Sequence, residues 1–116
     1  MSLTIWHNPR CSKSRQTLEL LRSRGIEPVI REYLKRPPSR TEVEILIGQV
    51  GGDPATLIRD GKPEFKKLGK KKADLAKADV AEAIAAAPVL LQRPVVVSGE
   101  RAIIGRPPEA VLALVK

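Results

Sequence analysis

The sequence holds one cysteine, one histidine and three aromatic residues, and each scarcity excludes something. A single cysteine cannot close an internal disulfide. One histidine beside one cysteine is too small a donor set for a metal site. Trp6, Tyr33 and Phe65 are too few to stack nucleic-acid bases. No apolar run is long enough to cross a bilayer, and "MSLTIWHNP" lacks the basic and apolar stretches of a secretory leader. Neither standard glycine-rich phosphate loop occurs. A soluble, cytoplasmic chain with no membrane partner is expected.

Positive charge, by contrast, is plentiful: 21 Lys and Arg against 13 Asp and Glu leave a net +8. That excess fits an anionic partner, whether nucleic acid, an acidic protein or a small oxyanion. Much of it sits in "EFKKLGKKKADLAK", residues 64–77, which reads best as a solvated face, so nucleic acid is not the expected partner. With 42% apolar residues, the 116-residue chain is long enough for one domain, 1–116, with a real core.

"LTIW" (3–6) is a short apolar run stopped by the turn signal His7-Asn8-Pro9. A helical pattern follows, with Thr17, Leu18 and Leu21 on one face and Gly25 where a helix-ending glycine belongs. "EPVIREYL" (27–34) reads as a second strand, completing a βαβ unit with parallel strands. Ser39 and Glu42 form a capping-box pattern opening a helix with Val43, Leu46, Ile47 and Val50 inward. Gly51-Gly52 ends it, and Asp53-Pro54 opens a shorter segment. Residues 77–87 read as a helix with Val80, Ile84 and Ala87 inward, stopped by Pro88. "PVVVS" (94–98) and "RAII" (101–104) are strands joined by the two-residue turn "GE". "RPPEAVLALVK" (106–116) reads as a closing amphipathic helix. The order predicts an α/β fold of thioredoxin-like layout: a mixed four-stranded sheet flanked by helices, with a helical insert, about 39–87, between its βαβ and ββα halves.

The chemistry gathers in "HNPRCSKSRQTLELL", residues 7–21, which holds the sole histidine and the sole cysteine. A free thiol titrates near ~8.5, and only the thiolate attacks electrophiles. Cys11 falls where a strand-turn-helix unit starts its helix, and the helix end favours an anion by ~0.3–1 kcal/mol, up to ~2 in a partly buried site. Lowering a pKa by two units takes about 2.7 kcal/mol, so the helix end alone falls short. His7, Arg10, Lys13 and Arg15 can supply charge, and the Ser12 or Ser14 hydroxyl can donate to sulfur. The charged and polar flanks suit a reactive cysteine better than an inert core one, and its thiol is expected to titrate below the ordinary value.

Spacing narrows the chemistry. A phosphatase-type anion loop, C-x5-R, needs arginine where Thr17 stands. A thioredoxin-type dithiol, C-x-x-C, needs cysteine where Ser14 stands. Any redox cycle through Cys11 therefore takes its second thiol from another molecule, such as glutathione or a glutaredoxin.

In order along the chain, "WHNPRCSKSRQTL", "EYLKRPPSRTEVEILI", "LIRDG", "LLQRPVVV" and "IIGRPPE" resemble the glutaredoxin-dependent arsenate reductase family over residues 3–115, with "NPRCSKSR" most like its short, arsenate-reductase-like branch. The resemblance implies an enzyme in which Cys11 attacks arsenate and the adduct is reduced by glutathione and glutaredoxin, releasing arsenite. It implies oxyanion binding by Arg59, Arg93 and Arg106, support of the thiolate by His7 and Ser14, and a cis peptide before Pro94. Guanidinium forks suit tetrahedral oxyanions, and a proline after Arg93 and Arg106 restricts the backbone that aims them. No bound cofactor is expected, glutathione being a co-substrate, and the chain is expected to be a monomer. Arg10 and Lys13 stand where the best-known members have small uncharged residues. Two alternatives follow: a glutathione-dependent thiol oxidoreductase acting on another substrate, and an Spx-type regulator that binds RNA polymerase.

Overall fold

The structure is a computed structural model describing residues 2–115. The chain divides into two compact units, residues 1–36 with 93–116, and residues 37–92. The insert expected at about 39–87 falls within the second.

The first unit is built on a four-stranded sheet in the order β2-β1-β3-β4. The strands are β1 (Leu3–His7), β2 (Val29–Glu32), β3 (Val95–Ser98) and β4 (Arg101–Ile104). β1 pairs parallel with β2, His7 opposite Glu32, and antiparallel with β3, Trp6 opposite Val95. β3 returns as β4 through the two-residue turn, with Ser98 opposite Arg101 and Gly99 at φ +60°. A positive φ at the first turn position is what glycine supplies without steric cost.

Side chains alternate along a strand, so Leu3, Ile5 and His7 leave one face of β1 and Trp6 the other. Leu3 and Ile5 join Val96, Leu18, Leu21, Val111 and Leu114 in one apolar cluster. Trp6 is buried on the opposite face, with the Arg31 guanidinium 4.7 Å from its ring centre.

α1 (Ser12–Ser23) buries Ser14, Thr17, Leu18 and Leu21. It ends as its sequence predicts: Gly25 is at φ +77°, its N–H donates to Arg22 O, and that of Ile26 donates to Leu21 O. This paired arrangement satisfies carbonyls that the helix end leaves open. The expected second strand is shorter than 27–34. Pro28 brings no N–H for pairing, and after Glu32 the N–H groups of Lys35 and Arg36 turn back onto the Glu32 carbonyl.

The closing segment is a 3₁₀ helix, Pro108–Leu114, rather than the expected α-helix. Its buried residues, Pro108, Val111 and Leu114, recur every third position, which matches three residues per turn better than 3.6. Pro107 and Pro108 also bring no N–H donors to its start.

In the second unit α2 (Arg40–Val50) opens on a complete capping box: Glu42 N–H donates to Ser39 Oγ at 3.1 Å, and Ser39 N–H to Glu42 Oε1 at 3.0 Å. A 3₁₀ turn (Pro54–Leu57), α3 (Pro63–Lys66) and a second 3₁₀ turn (Lys72–Asp74) lead to α4 (Lys77–Ala86). α2 packs on α4, burying Val43, Leu46 and Ile47 on one helix and Val80, Ala81, Ala83 and Ile84 on the other. Val50 and Ala87 are only half-buried. Ala87 has left the helix at φ −140°, as a residue before proline is disfavoured in helical conformation. Among the described residues no helix is long and apolar enough to cross a membrane.

Candidate active site

The loop between β1 and α1 presents the cysteine. Cys11 is the N-cap of α1 in extended conformation, and its own N–H donates to Asn8 O at 3.0 Å. Asn8 Oδ1 accepts from Arg10 N–H at 3.0 Å, so one asparagine closes the turn twice. An N-cap usually offers a side-chain oxygen to the helix's open N–H groups. Here the N-cap offers sulfur, and those N–H groups are left to act on it.

The thiol is buried, 8% exposed, and burial pushes its pKa up. The backbone N–H of Ser14, the Arg93 charge, the backbone N–H of Lys13 and the Arg106 charge outweigh burial and hold it below the ordinary thiol value. Arg106 reaches it directly, with Nη2 3.7 Å from Sγ. Its Nε donates to Arg93 O at 2.8 Å, tying the two arginine segments together. The guanidinium groups that lower this pKa thus come from residues 93 and 106 rather than from 10 and 15. Lys13 contributes through its backbone. Arg15 spans the loop instead, Nη1 donating to Pro9 O at 2.8 Å.

His7 and Ser14 lie beneath the loop. His7 Nδ1 is 2.6 Å from Ser14 Oγ, and Ser14 Oγ also accepts from Asn8 N–H at 3.1 Å. The hydroxyl is thus shared between the Asn8 N–H and the His7 ring. The His7 pKa is lowered from its ordinary value, which favours the neutral imidazole. Burial lowers it first, Glu32 pulls it back, and Arg22 and Arg15 lower it further. The Ser14 hydroxyl therefore faces the imidazole, and Ser14 reaches the sulfur through its backbone N–H.

The first unit brings together Cys11, His7, Ser14, Arg93 and Arg106. Arg59 belongs to the second unit, where its N–H donates to Leu90 O at 2.7 Å and Nη1 to Val89 O at 3.2 Å. The peptide before Pro94 is cis, as is that before Pro107. Sequence reasoning took Asn8 only as a turn signal, whereas its side chain, carbonyl and N–H organise the whole loop. The run "HNP" carried that signal. No group of three or more His, Cys, Asp or Glu able to hold a metal occurs among the described residues.

A mixed sheet carrying a single low-pKa cysteine at its first strand-helix turn, faced by arginines from the segments that enter the third strand and leave the fourth, defines a thioredoxin-like protein built for thiolate chemistry on an anion. A profile of the ArsC family matches residues 6–114, and the chain belongs to that family. The arsenate reductase of Haemophilus influenzae is 42% identical over 115 residues, 98% of this chain and 99% of the relative. That of Rhizobium meliloti is 40% identical over 112 residues, 97% of this chain and 80% of the relative. The solved structure of the arsenate reductase from Vibrio cholerae superposes with a TM-score of 0.92 at 39% identity, covering 99% and 98% of the two chains.

Proposed function

We propose that this protein reduces arsenate to arsenite, with Cys11 as nucleophile and two external thiols as the electron source. The Arg106 guanidinium at Cys11 Sγ carries the reading, because it places a fork for an oxyanion beside the attacking atom. Arsenate is an anion and so is a thiolate. Arginines at the point of attack remove their repulsion and stabilise the charge that builds up there.

In the first step Cys11 sulfur forms a bond to arsenic, and one arsenate oxygen leaves as water. Arg93 and Arg106 hold the remaining oxygens, and the family resemblance makes Arg59 the candidate for a third oxyanion ligand. Ser14 steadies the thiolate through its N–H, and His7 steadies Ser14. Two electrons then reduce As(V) to As(III). They come from glutathione and a glutaredoxin thiol, which leave joined as a mixed disulfide, and Cys11 returns as a thiol when arsenite departs. The absence of a second cysteine supports the external source. Relatives at 42% and 40% identity that bear the name arsenate reductase support the substrate. Such a cycle suits a reducing, cytoplasmic setting, needs no bound cofactor, and is complete in a monomer.

The test is arsenite formation from arsenate with glutathione and glutaredoxin, using Cys11→Ser as control. Turnover in the parent and none in the variant is expected. No turnover in the parent, or turnover that survives the substitution, overturns the reading.

A further inference from the structure

Gly105 lies buried between β4 and Arg106, and it differs from every other glycine of the chain. A Cβ there would sit 2.8 Å from Thr17 Oγ1, 2.9 Å from Pro94 Cγ and 3.3 Å from Thr17 Cγ2. At the other seven glycines a side chain would meet open space. Nor does backbone conformation require glycine here, since the positive-φ glycines are Gly25, Gly51, Gly52, Gly69 and Gly99. Only close approach does.

What approaches is the machinery that frames Cys11. Thr17 is fully buried on α1, the helix that Cys11 caps, and its hydroxyl is fixed by donation to Lys13 O at 2.8 Å. Pro94 follows Arg93 and is fixed by Gly105 N–H, which donates to Pro94 O at 2.8 Å. Arg106 comes next in the chain, its N–H on Ile104 O and its Nε on Arg93 O. Neither neighbour is the free end of a flexible side chain, so a methyl group in this gap would move α1 away from the β4 exit. Cys11 rides on α1 and Arg106 on that exit.

We propose that Gly105 is a positioning residue: its missing side chain lets α1 and the Arg93–Pro94 segment close on the end of β4, and that closure sets the Arg106 guanidinium against Cys11 Sγ. The proposal rests on Arg106 acting on Cys11. Its readout needs neither arsenate nor reductant, so a chain that reduces no arsenate still tests it.

The experiment is a double-mutant cycle read by thiolate absorbance against pH, in the full chain. Gly105→Ala is expected to raise the Cys11 titration midpoint by about one unit, the scale of a lost nearby opposite charge. In an Arg106→Gln background the same substitution is expected to add almost nothing, because the group it displaces is already gone. A purely structural glycine would not show that dependence. If Gly105→Ala alone does not fold, Gly105→Ala with Thr17→Ala, which clears both Thr17 atoms from the gap, is compared with Thr17→Ala alone in both backgrounds. A midpoint unmoved by the substitution, or moved equally with and without Arg106, overturns the proposal.

Discussion

Arg106 Nη2 lies 3.7 Å from Cys11 Sγ although 95 positions separate the two residues in sequence. The contact joins the exit of the last strand to the start of the first helix, and it supplies positive charge that the helix end alone does not. Arg106→Gln should therefore raise the Cys11 titration midpoint and lower arsenate turnover by about a hundredfold, the scale for losing one preorganised donor at a reacting anion. Arg93→Gln should also raise the midpoint, since the Arg93 charge lowers the same pKa. Thiolate absorbance against pH and steady-state arsenite formation measure the two effects. An unmoved midpoint in Arg106→Gln would show that the 3.7 Å contact carries no charge coupling.

Ser14→Ala should separate stability from thiol chemistry. Ser14 is fully buried, and its hydroxyl is shared by His7 Nδ1 and Asn8 N–H. Its removal leaves the buried His7 ring and the half-buried Asn8 N–H short of a partner, at about 1–3 kcal/mol each where water cannot replace it. The Ser14 N–H that acts on the sulfur survives the substitution. Denaturant unfolding should thus show a clear loss, while the Cys11 midpoint moves less than in Arg106→Gln. The reverse order would place the Ser14 hydroxyl on the sulfur instead.

Local features were legible in the sequence because they depend on neighbours in the chain. The Ser39–Glu42 box, the Gly25 helix end and the two-residue turn at Gly99 each need only a few adjacent residues, and all three form. The placement of Cys11 at a helix start was legible for the same reason. Its electrostatic partners were not. Arg10, Lys13 and Arg15 stand beside it in sequence, yet loop geometry sends the Arg15 guanidinium to Pro9 O, while the sheet brings Arg106 in from the far end. Arg93 and Arg106 were reached by resemblance rather than by local chemistry. Gly105 left no trace in the sequence, since a glycine needed for close packing looks like one needed for a turn.

His7 gives the fold a dependence on pH. Its folded pKa is lowered, by burial first, and in the unfolded chain it titrates near ~6.5. The unfolded state therefore takes up the proton first as pH falls. The stability from keeping His7 neutral is whole above the unfolded value and is lost as pH drops toward and through the folded one. Between about pH 7 and about pH 5 the parent should lose stability, and His7→Asn should lose less over the same interval. Urea unfolding of both chains at the two pH values measures it. Equal losses would mean that His7 takes its proton as easily when folded.

Substitution of Arg59 tests whether binding of the oxyanion is separate from activation of the thiol. The charges that lower the Cys11 pKa are those of Arg93 and Arg106, while Arg59 bonds to the Val89 and Leu90 carbonyls of its own unit. If Arg59 is the third ligand of the oxyanion, Arg59→Ala should raise the KM for arsenate about tenfold or more, the scale for losing a hydrogen bond to a charged group. It should leave the Cys11 titration midpoint where it is in the parent. Arg59→Lys should fall between the two in KM, because it keeps the charge and loses the two-pronged geometry. Steady-state kinetics with varied arsenate and thiolate absorbance on the same samples give both quantities. An unchanged KM would remove Arg59 from the substrate site. A raised midpoint would make it a third charge on the thiol and join binding and activation in one set of arginines.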